Sequence, residues 1–107
     1  MAHKGLNPDA VIKAAAELIE QQGREAFSMR ILADSLGIKT ASLYNHVDNM
    51  DALLVEVCRY GLRLQEDAEM QAIEGKCGED AVRILAETYR CFAKEHRELY
   101  WLIMNTA

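Results

Sequence analysis

Apolar residues recur three and four positions apart in several stretches of the chain, and this spacing predicts α-helices. The first stretch begins after Asn7, a good helix-capping residue, with Pro8 in the first turn. It ends near Gln22, and Gly23 is a suitable stop. Its broad apolar face predicts a scaffold helix that packs across the elements after it. Residues 1–6 before it are predicted to form a loose arm.

A short helix with clear boundaries is predicted over Met29–Leu36. The Ser28 hydroxyl is suited to accept a hydrogen bond from a free backbone N–H of the first turn. Phe27 and Leu32 have the spacing of a hydrophobic staple. Gly37 stands where a left-handed residue commonly ends a helix, because glycine has no Cβ to clash. The pattern therefore predicts a helix followed by a tight turn.

A second short helix, Thr40–His46, is predicted after the turn. It is under two turns long, so it needs neighbours to brace it, and Leu43 and Val47 form the bracing face. The opposite face carries Ala41 and Asn45 among other small and hydrogen-bonding side chains, which suits entry into the major groove of DNA. This arrangement indicates a helix-turn-helix, and an ordinary helical hairpin with a glycine turn is the alternative.

The C-terminal half is predicted to hold a long helix that Asn49 caps and that continues to about Ile73, then a glycine-containing break and two further helices, residues 79–95 and 98–104. Cys58 and Cys91 lie in apolar stripes, which favours core positions for both. The residues predicted to face inward from helix 79–95 are Ala81, Val82, Leu85, Ala86, Tyr89, Phe92 and Ala93. The last helix is apolar almost all round and nothing follows to cover it. We therefore expect a truncated chain or a fragment of a longer one.

Two segments carry a resemblance to a known family. The sequence F-S-M-R-I-L-A at residues 27–33 resembles the signature of TetR-type transcriptional regulators. So does L-Y-N-H-V at residues 43–47, followed by Asn49 and by A-L-L at residues 52–54. The resemblance covers about residues 6–60 and is strongest to the tetracycline repressor branch. Many positions match at fixed spacing, so the resemblance is specific.

Two positions depart from the family's pattern. Lys39 stands at the N-cap of the second short helix, where the family often has serine. Met50 stands at the first residue of the long helix, where the family often has a lysine that contacts a phosphate. One phosphate contact is therefore expected to be missing.

The resemblance implies a helix-turn-helix DNA-binding domain at residues 1–48. At residues 49–107 it implies a connecting helix and the first part of an effector and dimerisation domain. The expected protein is a homodimeric regulator of the repressor type that binds a palindromic operator in double-stranded DNA. A small-molecule effector of unknown identity, and no further cofactor, is expected to control it. The residues expected to contact DNA are Ser28, Arg30, Lys39, Thr40, Ala41, Ser42, Tyr44, Asn45, His46 and Asn49.

Aromatic and apolar residues of the last two predicted helices are candidates to line an effector pocket. They are Tyr89, Phe92, Tyr100, Trp101 and Met104. Packing inside the protein explains the same residue types at least as well, so both interpretations stay open here.

The charge of the chain is unusual for a DNA-binding protein. The sequence has 12 basic and 17 acidic residues and a net charge of −5, whereas DNA-binding domains are usually basic because they neutralise phosphates. Residues 27–50 hold Arg30 and Lys39 against Asp34 and Asp48. We therefore expect modest non-specific affinity for DNA and a weak salt dependence. The alternative function is a helical protein–protein interaction module that does not bind DNA.

Other chemistry is sparse in the sequence. The three cysteines include no CxxC pair, which favours a reducing cytoplasm over a disulfide scaffold. No apolar run approaches the about 20 residues that span a bilayer. The histidines and cysteines lack the spacing of metal ligands, and no catalytic motif is present. We expect a cytoplasmic protein that is neither an enzyme nor a membrane protein and that binds no metal.

Overall fold

The computed structural model describes residues 6–106, and every regular element in that range is an α-helix. The helices of this range are α1 (Pro8–Gln22), α2 (Met29–Leu36), α3 (Thr40–Leu43), α4 (Met50–Ala72), α5 (Gly78–Glu95) and α6 (Arg97–Asn105). The all-α prediction is therefore confirmed. Apart from Leu6, the predicted N-terminal arm lies outside the described residues. Among the described residues, no helix is both long and apolar enough to cross a membrane.

Side-chain caps fix the starts of α1, α2 and α4 where the sequence predicts them. In each case a side-chain oxygen accepts a hydrogen bond from the backbone N–H three residues later. The distances are 2.8 Å at Asn7, 3.1 Å at Ser28 and 2.8 Å at Asn49. Gly37 ends α2 in the left-handed conformation, with φ 71°, which a residue with a Cβ adopts only at a cost. The chain therefore reverses sharply between α2 and α3.

Helix α1 is the scaffold of the N-terminal half, as its apolar face predicts. It packs against α2, α4 and α6. One apolar core extends from α1 through α2, α3 and α4 to α6. Its largest fully buried side chains are Val11, Ile19, Leu32, Leu43, Leu53, Val57 and Leu99. The predicted division of the chain after residue 48 stays a prediction, and the core continues across that point.

Helix α4 connects the two ends of the structure. Its 23 residues extend over about 34 Å at the rise of an α-helix, and it packs against α1, α5 and α6. At Gly61 it comes very close to α6, because a Cβ placed on Gly61 would lie 3.0 Å from Cδ1 of Ile103. Gly61 is therefore the residue that lets α6 pack directly on the α4 backbone.

Helix α5 is less buried than its apolar pattern predicts. Of the residues predicted to face inward, only Phe92 is buried, whereas Val82 is 69% exposed and Tyr89 is 38% exposed. The predicted core position of Cys58 is confirmed, but that of Cys91 is wrong, since Cys91 is exposed. The reason is that α5 packs against α4 and α6, and these two helices cover only part of its apolar stripe.

Polar contacts tie the start of α6 to the turn that follows α1. Oε1 of Glu98 accepts two hydrogen bonds from Arg24, one from the backbone N–H at 3.0 Å and one from Nη1 of the guanidinium at 2.9 Å. Both side chains are half-buried, with 29% of Arg24 and 25% of Glu98 exposed. The hydrogen bond from the Arg24 backbone is the largest cause of a lowered pKa of Glu98. Partial burial opposes that shift, and the charges of Arg24 and Arg97 add to it.

The lowered pKa of Glu98 predicts a pH-dependent contribution to stability. A carboxyl whose pKa is lower in the folded chain stabilises it above the pKa of the unfolded chain, and loses that contribution as the pH falls through the folded value. We therefore expect Glu98→Gln to lower the free energy of unfolding at about pH 7 and to have little effect once the pH is below the folded pKa. Urea unfolding of both proteins across this range measures the difference.

Glu95→Gln is the matched control for this prediction. Glu95 is exposed and, like Glu98, lines a surface cavity between the end of α1 and the start of α6. Unlike Glu98, it has no ion-pair partner among the described residues. An effect of Glu98→Gln that is the same size at neutral and acidic pH would contradict the assignment.

Candidate nucleic-acid interface

Helix α3 is shorter than the sequence predicts. Its α-helical part is Thr40–Leu43, and the prediction that it continues to His46 is wrong. Residues 44–46 continue as a tighter turn, in which the N–H of Asn45 donates to the carbonyl of Ser42 at 3.1 Å and that of His46 to Leu43 at 2.9 Å. These bonds reach back three residues instead of four, which is the pattern of a 3₁₀ turn. The chain thereby ends the helix and turns toward α4.

Leu43 is the residue that holds this segment to the protein. Its side chain is fully buried in the core, and the half-buried Val47 packs against the same core. Buried Ile38, just before α3, is a third contact. The predicted bracing by Leu43 and Val47 is therefore confirmed. Because packing supplies what a one-turn helix lacks, α3 does not depend on its own hydrogen bonds for stability.

The side of α3 opposite Leu43 faces outward. Ala41, Ser42 and Asn45 are exposed, and Tyr44 is 47% exposed. His46 is half-buried at one edge of this surface. We call these five residues, Ala41, Ser42, Tyr44, Asn45 and His46, the outer surface of α3. Within residues 6–106, their side chains make no hydrogen bond to another protein group, so their polar atoms are available to a ligand.

Two other predicted contact residues have structural roles as caps. The Ser28 hydroxyl accepts the hydrogen bond that starts α2, but its own O–H can still donate. Asn49 uses Oδ1 to cap α4 and retains its side-chain NH₂ as a donor. Each residue can therefore hold a helix start in place and donate to an acceptor outside the protein at the same time.

The remaining predicted contact residues lie at the two helix starts. Arg30 and Lys39 are exposed, and neither forms an ion pair within the described part of the chain. Thr40 is half-buried at the first position of α3. Lys39 is the N-cap of α3 and makes no side-chain capping hydrogen bond, which follows from its lack of an acceptor. Within the described part of the chain, the starts of α2 and α3 each therefore carry one exposed cation without an ion-pair partner.

Comparison with known proteins gives a match on the same segment. The family model for bacterial regulatory proteins of the tetR family matches residues 11–57, from α1 to the first half of α4. The matched segment is therefore similar to the TetR family of bacterial regulators. The match covers the two caps, the glycine turn and the outer surface of α3 described above.

Curated relatives extend the similarity beyond that segment. An uncharacterised HTH-type transcriptional regulator of Bacillus subtilis, YobS, is 30% identical over 96 residues, which are 90% of this chain and 50% of the relative. An uncharacterised HTH-type transcriptional regulator of Mycobacterium tuberculosis is 28% identical over 100 residues, 89% of this chain and 44% of the relative. The chain thus spans about half the length of these relatives.

Identity is higher with a tetracycline repressor, but over a shorter stretch. The class D tetracycline repressor protein of Escherichia coli is 45% identical over 56 residues, which are 49% of this chain and 26% of that protein. The similarity to this repressor therefore covers about half of the chain.

The candidate effector-binding residues lie in different surroundings from one another. The hydroxyl oxygens of Tyr89 and Tyr100 are 2.9 Å apart, and their rings meet edge to face with centroids 5.8 Å apart. This hydrogen bond raises the pKa of Tyr89. Phe92 is buried, Trp101 lies against Arg24, and Met104 is exposed. The structure thus brings Tyr89 and Tyr100 together and places Trp101 in contact with the end of α1.

The residues that connect α1 to α6 were not predicted from the sequence. Arg24 and His96 both lie in short segments between predicted helices. In the structure Arg24 contacts Glu98, 74 residues away, and Glu20 contacts His96, 76 residues away. No spacing along the chain signals such pairs, because only the packing of α1 against α6 brings them together.

Proposed function

We propose that this chain is the DNA-binding part of a transcriptional regulator that recognises a specific sequence in double-stranded DNA. The observation that carries the proposal is the outer surface of α3, exposed and rich in hydrogen-bonding groups on a segment held in place by buried Leu43. A short helix of this kind fits the major groove, where base edges are distinguishable. The printed names of the relatives, HTH-type transcriptional regulators, support the same function.

Each contact residue has a role that follows from its side chain. The amide of Asn45 suits paired hydrogen bonds to an adenine, and the methyl of Ala41 suits contact with a thymine methyl. Tyr44, His46, Ser42 and Thr40 have donors for phosphates or base edges. The guanidinium of Arg30 suits a guanine or a phosphate. Ser28, Lys39 and Asn49 complete the contacts as phosphate donors.

We further propose that the regulator acts as a homodimer of the repressor type on a palindromic operator, and that a small-molecule effector controls it. Two α3 segments related by a two-fold axis would then enter successive major grooves, about 34–36 Å apart or somewhat more. Effector binding would act on DNA affinity as a coupling between two sites. The exposed apolar residues of α5 form a surface against which other parts of an effector domain would pack.

The balance of charge gives this mode of DNA binding a distinct salt dependence. The segment from Phe27 to Met50 holds Arg30 and Lys39 against two exposed carboxylates, Asp34 and Asp48. Few counterions are therefore released on binding, and the affinity is expected to fall less steeply with salt than for a basic domain. Specificity then depends more on base contacts than on phosphate attraction.

Selection of bound sequences from a random pool of DNA duplexes tests the proposed function. We expect one short half-site to recur, with a second copy in inverted orientation at a fixed spacing if two chains bind together. Absence of any enriched sequence from a folded chain would contradict DNA recognition. It would favour the alternative, a helical protein-interaction module, which the net charge of −5 supports.

Replacement of Asn45 by alanine is expected to weaken binding to the selected sequence by about tenfold to a hundredfold, because a paired contact to one base contributes about 1–3 kcal/mol of discrimination. The preference at one base position should relax at the same time. Replacement of Tyr44 by alanine in addition should weaken binding further. Electrophoretic mobility shift with the selected duplex and with its single-base variants measures both effects.

Gln71→Ala is the matched control, since it removes another exposed side-chain amide, near the far end of α4. It should change neither affinity nor base preference. Unchanged operator affinity in the folded Tyr44→Ala, Asn45→Ala protein would mean that the outer surface of α3 is not the part that reads DNA.

A further inference from the structure

The turn between α1 and α2 is held from the side of α6 by more than one contact. Besides the two hydrogen bonds to Glu98, the guanidinium carbon of Arg24 lies 3.8 Å from the centre of the Trp101 ring. A cation over an aromatic face at this distance is attracted to it. Two residues of α6, three positions apart, therefore hold Arg24. Glu98 binds its backbone N–H and its guanidinium, and Trp101 packs against the face of the guanidinium.

A second polar contact lies beside the first. Nδ1 of His96 is 2.7 Å from Oε2 of Glu20 near the end of α1, and both side chains are half-buried. An ionised carboxylate can only accept, so the histidine nitrogen is the donor when Glu20 is charged. The ring of His96 also lies 4.6 Å from that of Phe92 on α5, which fixes its orientation. Both contacts join the last turn of α1 and the following residues to the start of α6.

The turn held in this way leads directly to the DNA-reading helices. The carbonyl of Arg24 accepts a hydrogen bond from the N–H of Phe27 at 3.3 Å, and Phe27 is buried in the core. Ser28, the next residue, caps α2, and α2 packs against α3. A continuous series of contacts therefore runs from α6 through Arg24 and α2 to α3.

We propose that Glu20, Arg24, His96, Glu98 and Trp101 form a latch through which α6 sets the orientation of α2 and α3. Glu98 is the main positioning residue of this latch, because it binds both the backbone and the side chain of Arg24. The effect of the latch on DNA affinity rests on the proposed function, whereas the latch itself does not. A movement of α6 caused by the proposed effector would then reach the outer surface of α3 through Arg24 and α2.

Amide hydrogen exchange of the 107-residue chain tests the latch without DNA. We expect Glu98→Ala to raise exchange in residues 24–31 more than Arg24→Ala does, because it also removes the acceptor of the Arg24 backbone N–H. The double variant should raise exchange by less than the sum of the two effects, since both changes break the same contact between guanidinium and carboxylate. Exchange in α5 should stay the same, which separates release of the turn from general loss of stability. Additive effects of the two changes, or unchanged exchange in residues 24–31, would overturn the latch.

Two further variants make this measurement specific. Glu98→Gln keeps an oxygen that can accept from the Arg24 backbone, so it should restore most of the protection that Glu98→Ala removes. Glu95→Ala, a change to an exposed glutamate three residues earlier, should leave residues 24–31 as they are in the unmodified chain. Equal exchange in the Gln and Ala variants of Glu98 would overturn the role of its oxygen.

Trp101 provides an optical reading of the same contact. It is the single tryptophan of the chain, so the emission reports the surroundings of this one indole ring. We expect Arg24→Ala and Glu98→Ala to shift the emission in the same direction, because the first removes the guanidinium and the second removes the carboxylate that holds it against the ring. Emission that does not change in either variant would count against the latch.

DNA affinity tests the consequence of the latch. If α2 and α3 are free to reorient, only a fraction of the chains has them in the orientation that binds DNA. The apparent affinity for DNA falls as this fraction falls. We expect Glu98→Ala to weaken binding to the sequence returned by pool selection by about twofold to tenfold for each of the two hydrogen bonds that it removes. Unchanged or increased affinity would overturn the proposed orientation. If the unmodified chain binds no DNA, the proposed function fails, and hydrogen exchange still decides the latch.

Discussion

Replacing Leu43 with alanine is expected to lower the free energy of unfolding by about 2–5 kcal/mol and to abolish recognition of the selected DNA sequence. Leu43 is fully buried, so its loss leaves a cavity in the core. It also lies in a helix of only 4 residues, which has no stability without packing. The outer surface of α3 would therefore lose its fixed shape even where the rest of the chain stays folded. Urea unfolding and mobility shift measure the two effects.

Leu62→Ala is the matched control for this prediction. It is the same substitution at a leucine of α4 that is 49% exposed, and exposed changes usually cost within about 0.5 kcal/mol. A loss of stability as small for Leu43→Ala as for Leu62→Ala would mean that α3 is not held by the core. Full operator affinity in the Leu43→Ala protein would separate DNA binding from α3 altogether.

Replacing Gly61 with leucine is expected to destabilise the chain by about 1–3 kcal/mol, through overpacking between α4 and α6. A Cβ added at Gly61 would lie 3.0 Å from Cδ1 of Ile103, and the other carbons of a leucine side chain would have no space. Helix α6 would have to move away from α4, which would also disturb its contact with Arg24. Urea unfolding measures the first effect, and the Trp101 emission measures the second.

Gly61→Ala separates crowding from helix propensity. Alanine favours a helix over glycine by about 1 kcal/mol, and the end of the Ile103 side chain can shift to admit one methyl group. We therefore expect a change close to zero for this variant. Ile103→Ala added to Gly61→Leu should recover part of the lost stability, because it makes room at the same contact. No recovery in the double variant would show that crowding against Ile103 is not the cause.

Elements with local signals were predicted well from the sequence. The starts of α1, α2 and α4 were correct because Asn7, Ser28 and Asn49 fix them through hydrogen bonds three residues away. Gly37 likewise marks the end of α2 by its own backbone preference. The bracing by Leu43 followed from the helical period, since one buried position in a short helix determines which side faces out.

Features that depend on distant neighbours were not predictable in this way. The end of α3 was placed three residues too late, because a choice between hydrogen bonds to the third or fourth preceding residue depends on where the chain must go next. Val82 and Cys91 were expected inside, yet their exposure depends on which helices cover α5. The contact of Arg24 with Glu98 joins residues 74 positions apart. Only the packed arrangement of α1 and α6 determines such a pair.

Different residues of the α3 segment anchor it to the core and form its outer surface, and this separation affects how the sequence can evolve. Leu43, Ile38 and Val47 anchor the segment, while Ala41, Ser42 and Asn45 are exposed and lie outside the core. Substitutions at these outward positions carry almost no penalty in folding. Under the proposed function, a lineage that keeps the three anchoring residues would therefore exchange the outward ones, and with them the recognised sequence, without first having to gain stability.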